Sequence, residues 1–388
     1  MRIFIPKETA TAETRVPIVP ATASKLVKLG AEVEVESGLG TSIYASDDDY
    51  RGAGATVSIE RDSSFRAAGM VLRLRKPSRE DIRLLQSGCI HISFLDPFNN
   101  LALVQECANA DISAVSLEMI PRSTVAQKMD VLSSQANLGG YVAVILAANR
   151  GGFIYPLMMT PAGTIRPAKV FIIGVGVAGL QAIATARRMG AAVSAFDTRP
   201  VVEEQVQSLG AKFIKVDLGE TGQTEQGYAK ALTPEQLEKQ REAMAAECAQ
   251  SDVVITTAQV FGRRAPMIVT TAMVEKMKRG SVIVDMAIES GGNVECARLD
   301  EEVELNGVRV IGFSNLPGRV PLTASQMYSN NLGAFVEHFW NAGTKTFQLD
   351  PENALIKGCL LTHGGTICHE TIRNLVRQQE QPAAQAAI

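Results

Sequence analysis

Residues 169–197 read Lys169-Val170-Phe171-Ile172-Ile173-Gly174-Val175-Gly176-Val177-Ala178-Gly179-Leu180, a helix-period stretch to Met189, the turn Gly190-Ala191-Ala192, and Val193-Ser194-Ala195-Phe196-Asp197. Two short apolar runs flank a helix, which is a βαβ unit, and the glycines sit where strand gives way to helix. At that place the first glycine permits the tight turn, the second lets a pyrophosphate approach the backbone, and the third lets helix and strand come close. The helix start, with Val177 and Ala178 as its first residues, offers bare N–H groups and a positive dipole end to phosphate oxygens. Asp197, roughly 20 residues on at the tip of the second strand, suits the adenosine ribose hydroxyls and repels a 2′-phosphate, which predicts NAD(H) rather than NADP(H). Thr198 and Arg199 complete that tip, and Arg199 weakens the exclusion because a guanidinium pairs with phosphate. The plainer alternative is a turn whose glycines serve only close approach. Strand, turn, helix and acid standing in register argue against it.

Working outward, strands and helices alternate from Ala168 to about Ser314, and the runs Val253–Ala258 and Ser281–Met286 end in small or polar residues, making Thr257 and Ala258 candidate nucleotide contacts. Upstream, residues 2–5, 32–36, 70–74, 89–93 and 112–116 read as strands and residues 22–29 and 101–109 as helices, an α/β domain of its own. A helix-period segment from Gln135 to Asn149 is expected to connect the domains, followed by a loop at Thr160-Pro161-Ala162-Gly163. Residues 321–341 are helical by pattern and are expected to return to the first domain. This gives a first domain of residues 1–135 plus 325–388 and a dinucleotide domain of residues 136–324. From Gln378 the polar, biased tail reads as a frayed end.

The 388 residues exceed what one core usually supports, and 46% hydrophobic with 20% charged residues is ordinary globular usage. With 38 Lys and Arg against 41 Asp and Glu, the net charge of −3 provides no field for nucleic acid. Pro6 and the charges beside it interrupt any secretory signal, and the apolar stretch 141–148 is far short of the roughly 20 residues of a membrane helix, so an intracellular protein is expected. Six cysteines without a CxxC pair suit a reducing compartment. Cys359, His363, Cys368 and His369 cluster in sequence but match no zinc spacing, and no metal is expected.

The run from Glu118 to Asn137, which contains Pro121-Arg122-Ser123-Thr124-Val125-Ala126-Gln127-Lys128-Met129-Asp130, together with the fingerprint 173–186, resembles the soluble NAD(H)-binding component, domain I of the alpha subunit, of proton-translocating NAD(P) transhydrogenases. The resemblance covers nearly the whole chain, from Pro6-Lys7-Glu8 and Arg15 through Gly227-Tyr228-Ala229 to Gly312-Phe313-Ser314-Asn315. It implies an α/β fold of two Rossmann-like, doubly wound domains around a nucleotide cleft, the first completed by the C-terminal segment. It also implies that Arg122, Gln127, Asp130 and Ser133 contact the nicotinamide half of the nucleotide, Gln127 lying nearest the hydride-transfer site. By residue type alone that cluster would be a solvated, salt-bridged loop. Gly227 and Tyr228 fall in a loop that the resemblance identifies as a lid closing over bound nucleotide. It further implies a homodimer on the cytoplasmic face of a membrane, a beta subunit whose domain III holds NADP(H), direct hydride transfer between the two nucleotides, and membrane-spanning subunits that couple the step to proton translocation.

Two other functions compete. Alanine dehydrogenase is similar in sequence but carries a Lys and a His for its oxo acid, where this chain has Arg73 and, nearby, Asp96. Arginine does not give up its proton and an ionised aspartate is a poor donor, so the chemistry is missing. An NADH sensor without catalysis is the other, and it has no need of the Arg122–Asp130 cluster.

Overall fold

The computed structural model describes residues 1–216 and 233–385. The chain divides into two compact units, Met1–Gln135 with Val320–Ile388, and Ala136–Arg319. In the first, β1 (Arg2–Ile5), β2 (Glu32–Glu36), β3 (Thr56–Ser58), β4 (Met70–Leu72), β5 (Ile90–Ser93) and β6 (Ser113–Ser116) form a parallel sheet in the order β3-β2-β1-β4-β5-β6. That is the Rossmann order. Ile3, Phe4 and Ile5 are fully buried, as a parallel sheet covered on both faces demands.

The last 69 residues of this unit, 320–388, complete it. Helix Pro321–His338 buries Ala324, Ser325, Tyr328, Ser329, Leu332, Phe335 and Val336, spaced three and four apart along one face. Ser325 and Ser329 Oγ accept from the N–H groups of Val16 (2.9 Å) and Val19 (3.0 Å), and the Tyr328 hydroxyl donates to the Arg73 carbonyl (2.8 Å). Further on, Leu361 N–H donates to Ala114 O (2.8 Å), covering the open side of β6. The tail does not fray at Gln378: helix Glu370–Gln385 continues through it. Its apolar face extends into the unit, with Ile372 fully buried.

In the second unit, the stretch expected to be a loop at Thr160–Gly163 is the turn of an exposed hairpin, β7 (Met158–Thr160) with β8 (Gly163–Ile165). Then β9 (Lys169–Ile173), β10 (Ala192–Phe196), β11 (Lys212–Phe213), β12 (Val253–Thr256), β13 (Val282–Asp285), β14 (Glu302–Leu305) and β15 (Val308–Ile311) form one sheet. Its order is β11-β10-β9-β12-β13-β15-β14, parallel but for the edge strand β14. Strand order reverses between β9 and β12, and the glycine turn follows β9 directly.

Helix Val131–Arg150 corrects one expectation. Its 20 residues are long and apolar enough to cross a membrane, although residues 141–148 alone are not. Val142, Ala143, Val144 and Ala147 are buried within the protein, while Tyr141 and Ile145 of the same helix are exposed. Gly140 permits its close approach to the glycine turn after β9, since a Cβ there would lie 2.2 Å from the Ala178 carbonyl oxygen.

Candidate functional site

The turn after β9 is built from constraints on three glycines. Gly174 has φ +94°, which favours glycine, and its N–H donates to Phe196 O (2.8 Å). Gly179 lies one helical turn on, where a Cβ would sit 2.0 Å from Gly174 O. Gly176 differs: a Cβ there would meet nothing within 4 Å. It is also the N-cap of helix Val177–Arg188 and supplies no side-chain cap to the first N–H groups, those of Val177, Ala178 and Gly179. Open space before uncapped N–H groups at a positive dipole end fits a pyrophosphate.

Asp197 follows β10. Its Oδ2 accepts from Val175 N–H (2.7 Å), so the acid ties the second strand to the glycine turn. Arg199 lies side-on against the same carboxylate, Nε to Oδ1 and Nη2 to Oδ2, both 2.8 Å. The hydrogen bonds with Asp197 raise the Arg199 pKa further above its ordinary value, although burial opposes them. The sequence reading treats Asp197 as a bare acceptor. The structure pairs it, because two residues separate an acid from a base whose side chain can fold back on it. Thr198 lies between the two, half-buried.

Across the strand-order reversal, Thr257 Oγ1 donates to Gly174 O (2.9 Å) and Thr257 N–H to Ile173 O (2.8 Å). Ala258 is held by a residue the sequence reading missed. The Asn293 amide accepts from Ala258 N–H (3.1 Å) and donates to Ala258 O and Pro266 O, both 2.8 Å. Asp285, fully buried at the end of β13, accepts from Thr256 Oγ1 and from the N–H groups of Ala287, Asn293 and Val294 at 2.8 to 3.1 Å. Burial pushes its pKa up and those donors pull it down, leaving it raised on balance. The signal for this pair was present in Gly291-Gly292-Asn293, a turn with two left-handed glycines placed after a strand ending in an acid.

In the first unit, Gln127 lies exposed on the 3₁₀ turn Val125–Met129, which is anchored by buried Ala126 and Met129. Asp130 caps the helix that follows, accepting from Ser133 N–H (2.9 Å) and Ser133 Oγ (2.6 Å). Three of the four expected residues therefore share one turn and its cap, and Arg122 is exposed on the segment leading into it. Gly227 and Tyr228 lie outside the described residues.

Arg73 is 2% exposed and paired with Glu8 Oε2 (3.0 Å) and Asp81 Oδ2 (2.6 Å). Asp96 has φ +47° and accepts from the Asn99 and Asn100 side chains. Cys359 and Cys368 Sγ donate to Leu355 O and Leu360 O, and His363 Nδ1 shares a hydrogen bond with Ser113 Oγ. Among the described residues no group of three or more His, Cys, Asp or Glu is arranged to hold a metal.

Residues 4–139 match the family described as Alanine dehydrogenase/PNT, N-terminal domain, and residues 143–370 match Alanine dehydrogenase/PNT, C-terminal domain. The chain is 41% identical over 379 residues to an NAD(P) transhydrogenase alpha-subunit polypeptide of Rhodospirillum rubrum, covering 96% of this chain and 99% of that protein. Of solved structures, a transhydrogenase from Sinorhizobium meliloti superposes with TM-score 0.85 at 43% identity, covering 95% and 100% of the two chains. An L-alanine dehydrogenase superposes at 0.81 with 26% identity, covering 97% and 99%. The chain belongs to the alanine dehydrogenase/PNT family, and within it is more similar to these transhydrogenase proteins than to that alanine dehydrogenase.

Proposed function

We propose that this chain is the NAD(H)-binding component of a proton-translocating, Re/Si-specific NAD(P) transhydrogenase. The carrying observation is the 41% identity to a transhydrogenase alpha subunit over 96% of this chain and 99% of that protein. The open, uncapped turn at Gly176 supports nucleotide binding in the second unit. In this reading the N–H groups of Val177, Ala178 and Gly179 hold the pyrophosphate, Asp197 with Thr198 holds the adenosine ribose, with Arg199 beside them at the strand tip, and Thr257 with Ala258 forms the wall beside Gly174. Arg122, Gln127, Asp130 and Ser133 orient the nicotinamide half. The nicotinamide supplies the hydride chemistry, so the side chains orient and exclude water and none needs to act as a nucleophile.

Hydride passes directly between NAD(H) here and NADP(H) on domain III of a beta subunit. Membrane-spanning subunits couple that transfer to proton translocation, and the chain is attached through them at the cytoplasmic face. A homodimer is part of this reading; the β7–β8 hairpin of the second unit exposes the cross-strand pair Met158 (45%) and Ile165 (47%) on one face and Met159 (78%) on the other. Alanine dehydrogenase is disfavoured by Arg73, whose guanidinium is committed to two buried carboxylates where that enzyme carries a lysine.

The test is reduction of an NADP analogue by NADH with and without the NADP(H)-binding component, beside a control of NADH, pyruvate and ammonium. Transfer only with the partner, strongly reduced by Gln127→Asn or Asp130→Asn, is expected. Turnover of pyruvate would make the chain an alanine dehydrogenase, and NADH binding without either reaction would make it a sensor.

A further inference from the structure

An ionised carboxylate offers about four lone-pair positions. On Asp197 all four are taken: Oδ1 accepts from the Arg199 backbone N–H (2.9 Å) and Nε (2.8 Å), Oδ2 from Val175 N–H (2.7 Å) and Arg199 Nη2 (2.8 Å). Two of these donors are backbone groups fixed by the fold. The other two belong to one guanidinium and fall one on each oxygen. A vicinal diol binding bidentately would place its hydroxyls on those same two positions. The pair is also shielded, with side chains 12% and 6% exposed, and Arg199 Nη2 reaches on to Val175 O (3.0 Å) in the glycine turn.

We propose that Arg199 sets the nucleotide selectivity of this site, its guanidinium competing with the adenosine ribose diol for Asp197 while its charge softens the exclusion of a 2′-phosphate. The inference rests on the dinucleotide reading of the second unit. For a ribose to bind Asp197, the side-on fork must give way. The displaced cation cannot go far, because the Arg199 backbone N–H stays on Asp197 Oδ1 and holds its Cα at the strand tip. A bare acid at that tip would repel a 2′-phosphate, whereas an acid beside a guanidinium presents little net charge. Arg199 therefore works against NAD(H) and in favour of NADP(H), and its removal shifts both affinities in the direction that separates them.

Equilibrium binding of NADH and of NADPH to the full chain, read by nucleotide fluorescence without turnover, tests this on wild type, Arg199→Gln and Arg199→Lys. In Arg199→Gln, NADH is expected to bind more tightly and NADPH more weakly, widening the ratio roughly ten-fold, a modest share of the repulsion between charges a few ångströms apart. Arg199→Lys keeps the charge without the planar fork, so NADH is expected to tighten while NADPH stays near wild type. A ratio unchanged or narrowed in Arg199→Gln overturns the proposal. Should that variant fail to fold, NADH affinity unchanged or weakened in Arg199→Lys overturns it instead. Wild-type protein binding neither nucleotide would overturn the dinucleotide reading itself, and this inference with it.

Discussion

Gly176 and Gly179 stand three residues apart in one turn, yet a methyl group meets opposite surroundings at each. At Gly179 it would strike the Gly174 carbonyl, so Gly179→Ala is expected to cost about 1–3 kcal/mol of stability through forced backbone movement, read by urea unfolding. At Gly176 it enters open space, so Gly176→Ala should change stability by less than about 0.5 kcal/mol. It places the methyl where the pyrophosphate is proposed to lie, and NADH affinity should fall roughly ten-fold or more, about 1.4 kcal/mol or above. Equal effects of the two substitutions on stability would contradict this division. The spacing of these glycines was legible in the sequence because each role follows from its place between strand and helix. The pairing of Asp197 was not, since spacing brings Arg199 near but does not choose its rotamer. The buried His91 carries a separate prediction. Burial, aided by the Arg73 charge, pushes its pKa down from 6.5 to about 3. The native state therefore declines a proton that the unfolded chain accepts below pH 6.5, so stability falls as pH drops from 6.5 toward 3, by up to about 1.4 kcal/mol per unit. His91→Gln should flatten that slope in urea unfolding measured across the window, and an unchanged slope would assign it to other groups.

The turn that carries Gln127 is held by an element some 200 residues away in sequence. Asn331, on helix Pro321–His338, donates from Nδ2 to Lys128 O (2.9 Å) and accepts at Oδ1 from Ser134 Oγ (2.6 Å), bracketing Met129 to Ser133. One amide thus spans both ends of the segment that holds Asp130 and its cap. On the proposed function, in which this turn orients the nicotinamide, Asn331→Ala is expected to lower kcat for hydride transfer about ten-fold, since small misplacements of orienting groups are costly, while NADH affinity stays within about two-fold. A loss confined to NADH affinity would show that the clamp serves binding instead. No local pattern reveals such a clamp, because its partners are far apart in sequence. Legibility of the elements themselves divides in the same way. The alternation Glu-Val-Glu-Val-Glu marks β2, with Val33 and Val35 buried, and the three-and-four spacing marks the helix at 321–338. Helix Asp47–Gly52, strand Thr56–Ser58 and helix Arg61–Ala67 are six, three and seven residues long and went unread. Elements this short have too few positions to show a period, and the first announces itself only through its cap, where Ser46 and Asp49 form a capping box.

Because the chain leaves the first unit near residue 135 and re-enters it near 320, the two units differ in what they need from the rest of the sequence. Every strand of the seven-stranded sheet lies between residues 169 and 311, so the second unit is continuous. The first is not. Without residues 320–388 it loses the buried side chains of Tyr328, Leu332, Phe335 and Val336, the hydroxyl partners of Val16 and Val19, and the cover over β6. Each large buried side chain is worth about 1.5–3 kcal/mol, so four of them alone rival the whole net stability of about 5–15 kcal/mol that a domain possesses. A fragment of residues 131–319, which keeps helix Val131–Arg150 whole, is therefore expected to unfold cooperatively. It should also bind NADH, more weakly than the full chain if Arg122, Gln127 and Asp130 contribute contacts. Residues 1–135 alone are expected to lack cooperative unfolding and to regain it when residues 320–388 are co-expressed as a separate chain. Circular dichroism against urea reads both fragments, and a cooperative transition for residues 1–135 alone would mean that the returning segment only decorates a core already sufficient. The return itself was legible from an apolar helix placed after the second run of strands had ended. Its hydrogen bonds to Val16, Val19 and Ala114 were not, because they join positions that only the closed sheet brings together.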